Sequence, residues 1–169
     1  MRQAMTAAKN HGIEVRGIKT FKGIEGQGYN AGLYLNGKKI AGLIDKGNGG
    51  AVYIHYLGNG DERKANAKKV GKAIADAGSW KSEYEPTKEY PYDEATFVGE
   101  LVSIAIDERD WRRRCGKTVY FRTLEDKAKN PSMFRTYKGP YTVAVRVRII
   151  EKYGKAVEIM NDLYGKMIG

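Results

Sequence analysis

The sequence predicts an α+β fold, with an N-terminal antiparallel β-meander and a packed helix followed by a mainly helical half with a short two-stranded element. Three observations carry this reading. Two runs of period-two alternation flank the dipeptide Asn36-Gly37, apolar residues recur at helical spacing over 65–77 and 97–106, and glycines and prolines punctuate the chain between these stretches.

Tyr29, Ala31, Leu33 and Leu35 alternate with small or polar residues, and Ile40, Gly42 and Ile44 repeat that period beyond the dipeptide. Asn-Gly between such runs supplies the positive φ angles of a type I′ turn, whose twist matches the flanking strands. A strand from Ile13 through Val15 and Gly17 to near Phe21 precedes the hairpin, and another from Ala51 to Leu57 follows it, completing a four-stranded meander. Gly23, Gly26 and Gly28 lead into the hairpin, while Gly47, Asn48, Gly49 and Gly50 leave it. Asp61 is the predicted N-cap of a helix in which Ala65, Val70, Ala73, Ile74 and Ala77 recur with helical spacing and Gly78 is the stop.

Residues 1–80 therefore read as sheet plus helix, 81–94 as an acidic connector, and 95–169 as the mainly helical half. The connector carries Glu83, Glu85, Glu89, Asp93 and Glu94 against Lys81 and Lys88, with too much proline for a helix and too little apolar alternation for a strand. Asp93 caps a second predicted helix that runs to about Cys115, and Phe97, Val98, Leu101, Val102, Ala105 and Ile106 cover more than one of its faces. A strand at Lys117 to Leu124, a polar loop from Glu125 to Ser132 and a second short strand from Met133 to Lys138 follow. Beyond Gly139 and Pro140 two readings compete. Val143, Val145, Val147 and Ile149 alternate as in a strand, yet Thr142 suits a helix cap, and Tyr153, Val157, Met160, Tyr164 and Met167 keep helical spacing to the end. A helix for both stretches, broken at Gly154, is preferred.

The net charge is +10, and 41% of the residues are apolar, which describes a globular chain with enough apolar side chains for its own core. No apolar run reaches the roughly 18 residues of a membrane span, and the first twelve residues lack the apolar stretch of a signal peptide, so a cytoplasmic protein without a membrane partner is expected. With Cys115 as the one cysteine, and His11 and His55 as the two histidines, an internal disulfide and a zinc site built from protein ligands fall away. No cofactor is expected.

Catalytic patterns are weak. The glycines between Gly23 and Gly28 match no phosphate-loop motif and lead into a strand, so they read as turn residues. Neither histidine has a partner pattern. Three arginines before Cys115 and Lys117 after it are expected to depress its thiol pKa, but no base accompanies it. Glu125 and Lys127, with Asp107 or Asp110 upstream, fit the clustered carboxylates and lysine of a metal-dependent nuclease only loosely.

The basic clusters are the strongest cue. Arg63, Lys64, Lys68, Lys69 and Lys72 lie on the outward face of the first predicted helix. Six basic residues (Arg109, Arg112, Arg113, Arg114, Lys117 and Arg122) stand against one acid, Asp110, between Arg109 and Arg122. The first fifty residues hold eight basic side chains against three acids. Such charge attracts phosphate and releases its counterions. Trp111, Tyr120 and Tyr34 are candidate stacking platforms for a single strand.

The stretch from Phe21 to Gly50, with Gly26, Gly28, Asn30, Ala31, Leu33, Tyr34, Asn36 to Lys39, Asp45 and Gly47 to Gly50, resembles small uncharacterised proteins of bacteriophages and other mobile elements. Pro140, Tyr141, Thr142, Tyr153 and Gly154 are similar in kind. The resemblance covers about half the chain and brings no catalytic motif. It implies a phage accessory protein in the bacterial cytoplasm that binds a host defence complex, such as a CRISPR effector or a restriction enzyme. The expectation is thus a non-enzymatic anti-defence inhibitor of the anti-CRISPR type that engages nucleic acid or a nucleoprotein through Arg63, Lys64, Lys68, Lys69, Lys72, Arg109, Trp111, Arg112, Arg113, Arg114, Lys117 and Arg122. The alternatives are a general single-strand-binding module, a structural or interaction protein, and a small metal-dependent nuclease.

Overall fold

The computed structural model describes residues 3–82, 85 and 87–168. Arg2 and Glu83, counted among the charges above, lie outside them, as do Tyr84 and Pro86 of the connector. The chain forms two compact units, 1–105 and 106–169.

The first unit contains α1 (Gln3–Asn10), β1 (Ile13–Lys22), β2 (Gln27–Leu35), β3 (Lys38–Asp45), β4 (Tyr53–Tyr56), α2 (Gly60–Ala77), β5 (Ser79–Lys81) and β6 (Glu89–Pro91). Strands β1 to β4 make the expected antiparallel meander in sequence order. Asn36 at φ 50° and Gly37 at φ 80° form a two-residue connection with both φ angles positive, as the type I′ turn requires.

Two bulges decide which side chains lie on which face. Arg16 pairs with Gly32 and Lys19 with Asn30, so β1 holds one extra residue there, at the positive φ of Gly17. Leu33 pairs with Ala41 but Tyr34 with Lys39, which leaves Ile40 as the extra residue in β3. The resulting inner face presents Ile13, Tyr29, Leu33, Ala41 and Leu43, all buried. Helix α1 packs on β1 and α2, and α2 packs on β4. Ala4, Ala7, Ala8, Val70, Ala73 and Ala77 are their buried residues.

The N-cap of α2 is Asn59 and not Asp61, because the Asn59 side chain accepts from the amides of Asp61 and Glu62 while Glu62 reaches back to the Asn59 amide. Helix α1 was not expected; its Ala4, Ala7 and Ala8 spacing is too short a pattern to stand out. The connector is not structureless either, since β5 and β6 pair through Trp80 and Tyr90, whose rings lie 5.4 Å apart. Cross-strand aromatic packing here replaces the apolar alternation on which strand prediction relies.

Helix α3 (Glu94–Cys115) begins after Asp93, whose carboxylate accepts from the Thr96 amide at 2.6 Å. Its first half buries Phe97, Val98, Leu101 and Val102 in the first unit, where Glu94 accepts a hydrogen bond from the Tyr56 hydroxyl.

The second unit continues with β7 (Thr118–Arg122), α4 (Leu124–Lys129), β8 (Arg135–Lys138), α5 (Val143–Tyr153), β9 (Glu158–Ile159) and α6 (Met160–Tyr164). The predicted polar loop holds α4, made possible by a capping box in which Thr123 and Asp126 satisfy each other's amides. The predicted two-stranded element has three strands, ordered β8-β7-β9. Residues 143–153 are helical, with Thr142 accepting from the Val145 amide. Beyond Gly154 the expected long helix gives way to β9 and the short α6, because Ile159 pairs with Phe121 and Glu158 with Arg122. Val119, Phe121, Tyr141, Ile149 and Ile159 form the core. Asn161 is 2% exposed, and its side chain accepts from the Tyr120 amide and donates to the carbonyls of Cys115 and Thr118.

Gly37→Val should cost about 1–3 kcal/mol in a urea unfolding experiment, because a β-branched residue tolerates positive φ poorly. Asn161→Leu should cost at least about 2 kcal/mol, since it leaves an amide and two carbonyls without their partner. Burial pushes the Tyr29 hydroxyl up to about 12, and burial together with the carboxylates of Glu94 and Asp162 pushes Tyr56 and Tyr141 up as well. The folded state then retains protons that unfolded tyrosines release near pH ~10, so stability should hold below that pH and decline as pH rises through it. Unfolding midpoints measured on both sides of that value check the sign.

Candidate nucleic-acid interface

Three basic surfaces emerge. On α2, Arg63, Lys64, Lys68, Lys69 and Lys72 are all exposed. The Arg63 guanidinium donates to the Gly58 carbonyl at 2.8 Å, whereas the four lysines have no ion-pair partner among the described residues. Lys64, Lys68 and Lys72 follow one another at four-residue spacing, about 6 Å of axial rise each, and so form a single row of positive charge.

The end of α3 is different. Arg112 reaches Glu108 at 3.9 Å, and both Arg109 and Arg113 reach Asp110 at 3.7 Å, so acids on the same helix offset part of the cluster. Arg114 lies over the Trp111 ring at 5.5 Å. Trp111 is half-buried in an aromatic group with Tyr120, Phe134 and Tyr164, whose ring stacks on it with an interplanar angle of 14°. Its ring is thus engaged within the unit, as is that of Tyr120. Lys117 is exposed, whereas Arg122 is 9% exposed, donates to Glu158 at 2.7 Å and to the Pro131 carbonyl, and lies 4.5 Å from the Phe134 ring centroid. Arg122 holds β7 to β9 and stands apart from the surface arginines.

The third surface is the outer face of the meander, which inspection of basic clusters does not reveal. Register places Arg16, Gly32, Gly42 and His55 in one row across the strands, and Lys19, Asn30, Ile44 and Tyr53 in the next. Tyr34 pairs with Lys39 beside the first row, and Phe21 with Gly28 beyond the second. Arg16, Lys19, Lys39, His55 and Tyr53 are exposed. The Arg16 guanidinium lies 5.0 Å from the Tyr34 ring centroid and also pairs with Glu14, while the Lys46 ammonium lies 4.9 Å over Tyr53. The available signal was the conjunction of tyrosine, glycine and lysine on alternate strand positions.

The catalytic candidates are not brought together. Glu125 is held by Lys129 at 2.6 Å, Lys127 reaches Glu158 at 3.5 Å, and no group of three His, Cys, Asp or Glu side chains among the described residues is placed to hold a metal. Cys115 is buried, and burial pushes its thiol pKa up, the reverse of the depression expected from its arginine neighbours, whose side chains are directed to solvent. His11 meets Asp76 at 2.5 Å and joins α1 to α2, while His55 is exposed on the sheet. The glycine-rich turn does not cradle an anion: the Gly23 amide donates to Gly26, the Glu25 amide donates to Gly47, and a Cβ on Gly23 would meet the Gly47 carbonyl oxygen at 2.5 Å. These glycines let two turns touch. A cleft of about 640 Å³ beside β5 and β6 has carboxylates already engaged, Glu89 by Ser79 and Lys81, and Glu100 by Tyr92.

Compared with protein-family models, curated proteins and solved structures, the chain gives no significant match. Among the described residues no helix is long and apolar enough to cross a membrane.

Proposed function

We propose that the protein is a non-enzymatic nucleic-acid-binding protein that grips phosphate through basic faces. The observation that carries this reading is the exposed lysine row of α2, which forms no ion pair among the described residues. Unpaired surface lysines release bound counterions from phosphates at little desolvation cost, whereas the α3 arginines must first leave Glu108 and Asp110. Arg63, Lys64, Lys68, Lys69 and Lys72 therefore carry the main contact, and Arg112, Arg113, Arg114 and Lys117 contribute less.

The resemblance to small bacteriophage proteins extends the proposal: the nucleic acid is one held by a host defence complex, and the protein acts as its inhibitor. A pull-down with and without nuclease tests that extension. Loss of the partner on nuclease treatment supports it, and failure to recover any nucleoprotein removes it.

Binding of the full chain to fluorescent oligonucleotides should weaken steeply with salt, with a slope of log K against log salt of roughly −3 to −5 for ~4–6 neutralised phosphates. Replacing Lys64, Lys68 and Lys72 together by Gln should flatten that slope by about 2–3 while leaving the melting temperature unchanged, because Gln matches Lys in helix propensity. The same replacement of Arg112, Arg113 and Arg114 should have a smaller effect. An affinity indifferent to salt would refute the electrostatic reading.

A further inference from the structure

We infer that the outer face of the β1–β4 sheet is a stacking platform for the bases of a single-stranded nucleic acid. This rests on the nucleic-acid reading above and adds to it a second surface and a preference for unpaired strands.

An antiparallel sheet packed on one side turns polar, well-solvated residues to water on the other. Here the outward positions carry Tyr53, 59% exposed, Phe21, 40% exposed, and the partly exposed Tyr34, together with His55. Between them the central strands carry no side chain at all in one row, since Gly32 and Gly42 are paired neighbours. The result is a shallow trough whose open backbone floor is at Gly42, because the Tyr34 ring covers Gly32.

The two glycines differ in what they show. A Cβ on Gly32 would meet the Tyr34 ring at 2.8 Å, so its absence is needed for that ring to lie over the strand. A Cβ on Gly42 would meet nothing within 4 Å, and its φ is not positive. Neither crowding nor backbone conformation calls for glycine there, and a larger residue would suit a central strand better. The open space above Gly42 is room for a flat ligand.

Charge identifies the ligand. Arg16, Lys19, Lys39 and Lys46 border the face against one acid on its outward positions, Glu14, which Arg16 already engages. Arg16 and Lys46 rest over Tyr34 and Tyr53. Exposed cation–π contacts are weaker than base–aromatic stacking, so an incoming base takes the ring while the displaced cation turns to the adjacent phosphate. A duplex offers no such exchange, because its bases are stacked on each other and present only edges and backbone to a sheet surface.

The test measures affinity of the full chain for a fluorescent oligothymidine strand and for a duplex of the same length. Tyr53→Leu should weaken the single strand about tenfold, Tyr53→Phe should retain binding because the ring remains, and duplex binding should be unchanged in both. Gly42→Val should weaken the single strand by a similar factor without lowering the melting temperature, since it fills the trough and nothing else. The Lys64, Lys68 and Lys72 triple variant should weaken single strand and duplex alike. If both nucleic acids bind, but Tyr53→Leu and Gly42→Val leave single-strand affinity unchanged, the stacking platform is overturned and the phosphate reading stands. If neither nucleic acid binds, both are overturned.

Discussion

Strand register is the constraint on which the first unit depends. In a sheet with one packed face, a slip of one residue exchanges the buried and exposed sets entirely. The Asn36-Gly37 turn sets β2 against β3, and the two bulges then correct the phase of the outer portions of β1 and β3. Without the bulge at Gly17, strict alternation from Ile13 and Val15 would bury Phe21 and send Arg16 and Lys19 to opposite faces. With it, Thr20 pairs beside buried Tyr29, Phe21 lies over Gly28, and both basic residues share the outer face. Core and candidate binding surface are two sides of one registration.

The second unit is organised by a buried side chain. Asn161 ties the end of α3 to β7 by bonding Cys115, Tyr120 and Thr118, backbone groups that have left helical pairing and are entering or passing along a strand. An amide side chain suits this place because it donates and accepts at once. Arg122 does comparable work at the far end of β7, where Glu158 and the Pro131 carbonyl compensate the burial of its charge. A cation read from sequence as a phosphate contact thus belongs to the framework, as a buried guanidinium requires partners that a mobile ligand does not guarantee.

Legibility in the sequence followed the range of the interactions. The hairpin was readable because Asn36 and Gly37 determine their own backbone angles, and the span of α3 because Asp93 and Gly116 bracket it. Residues 143–153 were ambiguous because valine alternates there for both periods, and the local bond from Thr142 to the Val145 amide marks the helix start. β9 was not readable, since its two residues are strand only by pairing with Phe121 and Arg122, some 36 positions away in the sequence at Glu158. The same division holds for the candidate site. Lysines on α2 declare themselves by helical spacing, whereas the sheet face depends on bulges that break the spacing rule and on pairings between four strands.

The glycines of that face also carry a distinction that bears on how such a chain diverges. Gly28 and Gly32 are held by their neighbours, the rings of Phe21 and Tyr34, and any descendant that keeps those rings must keep them too. Gly42 has no such guard. On the proposed role of the sheet face, a duplicated copy released from binding leaves position 42 free to drift toward β-branched residues, gaining strand propensity as it goes. The occupant of that one position, read against unchanged residues at 28 and 32, would then separate copies that still use the surface from copies that have become scaffolds.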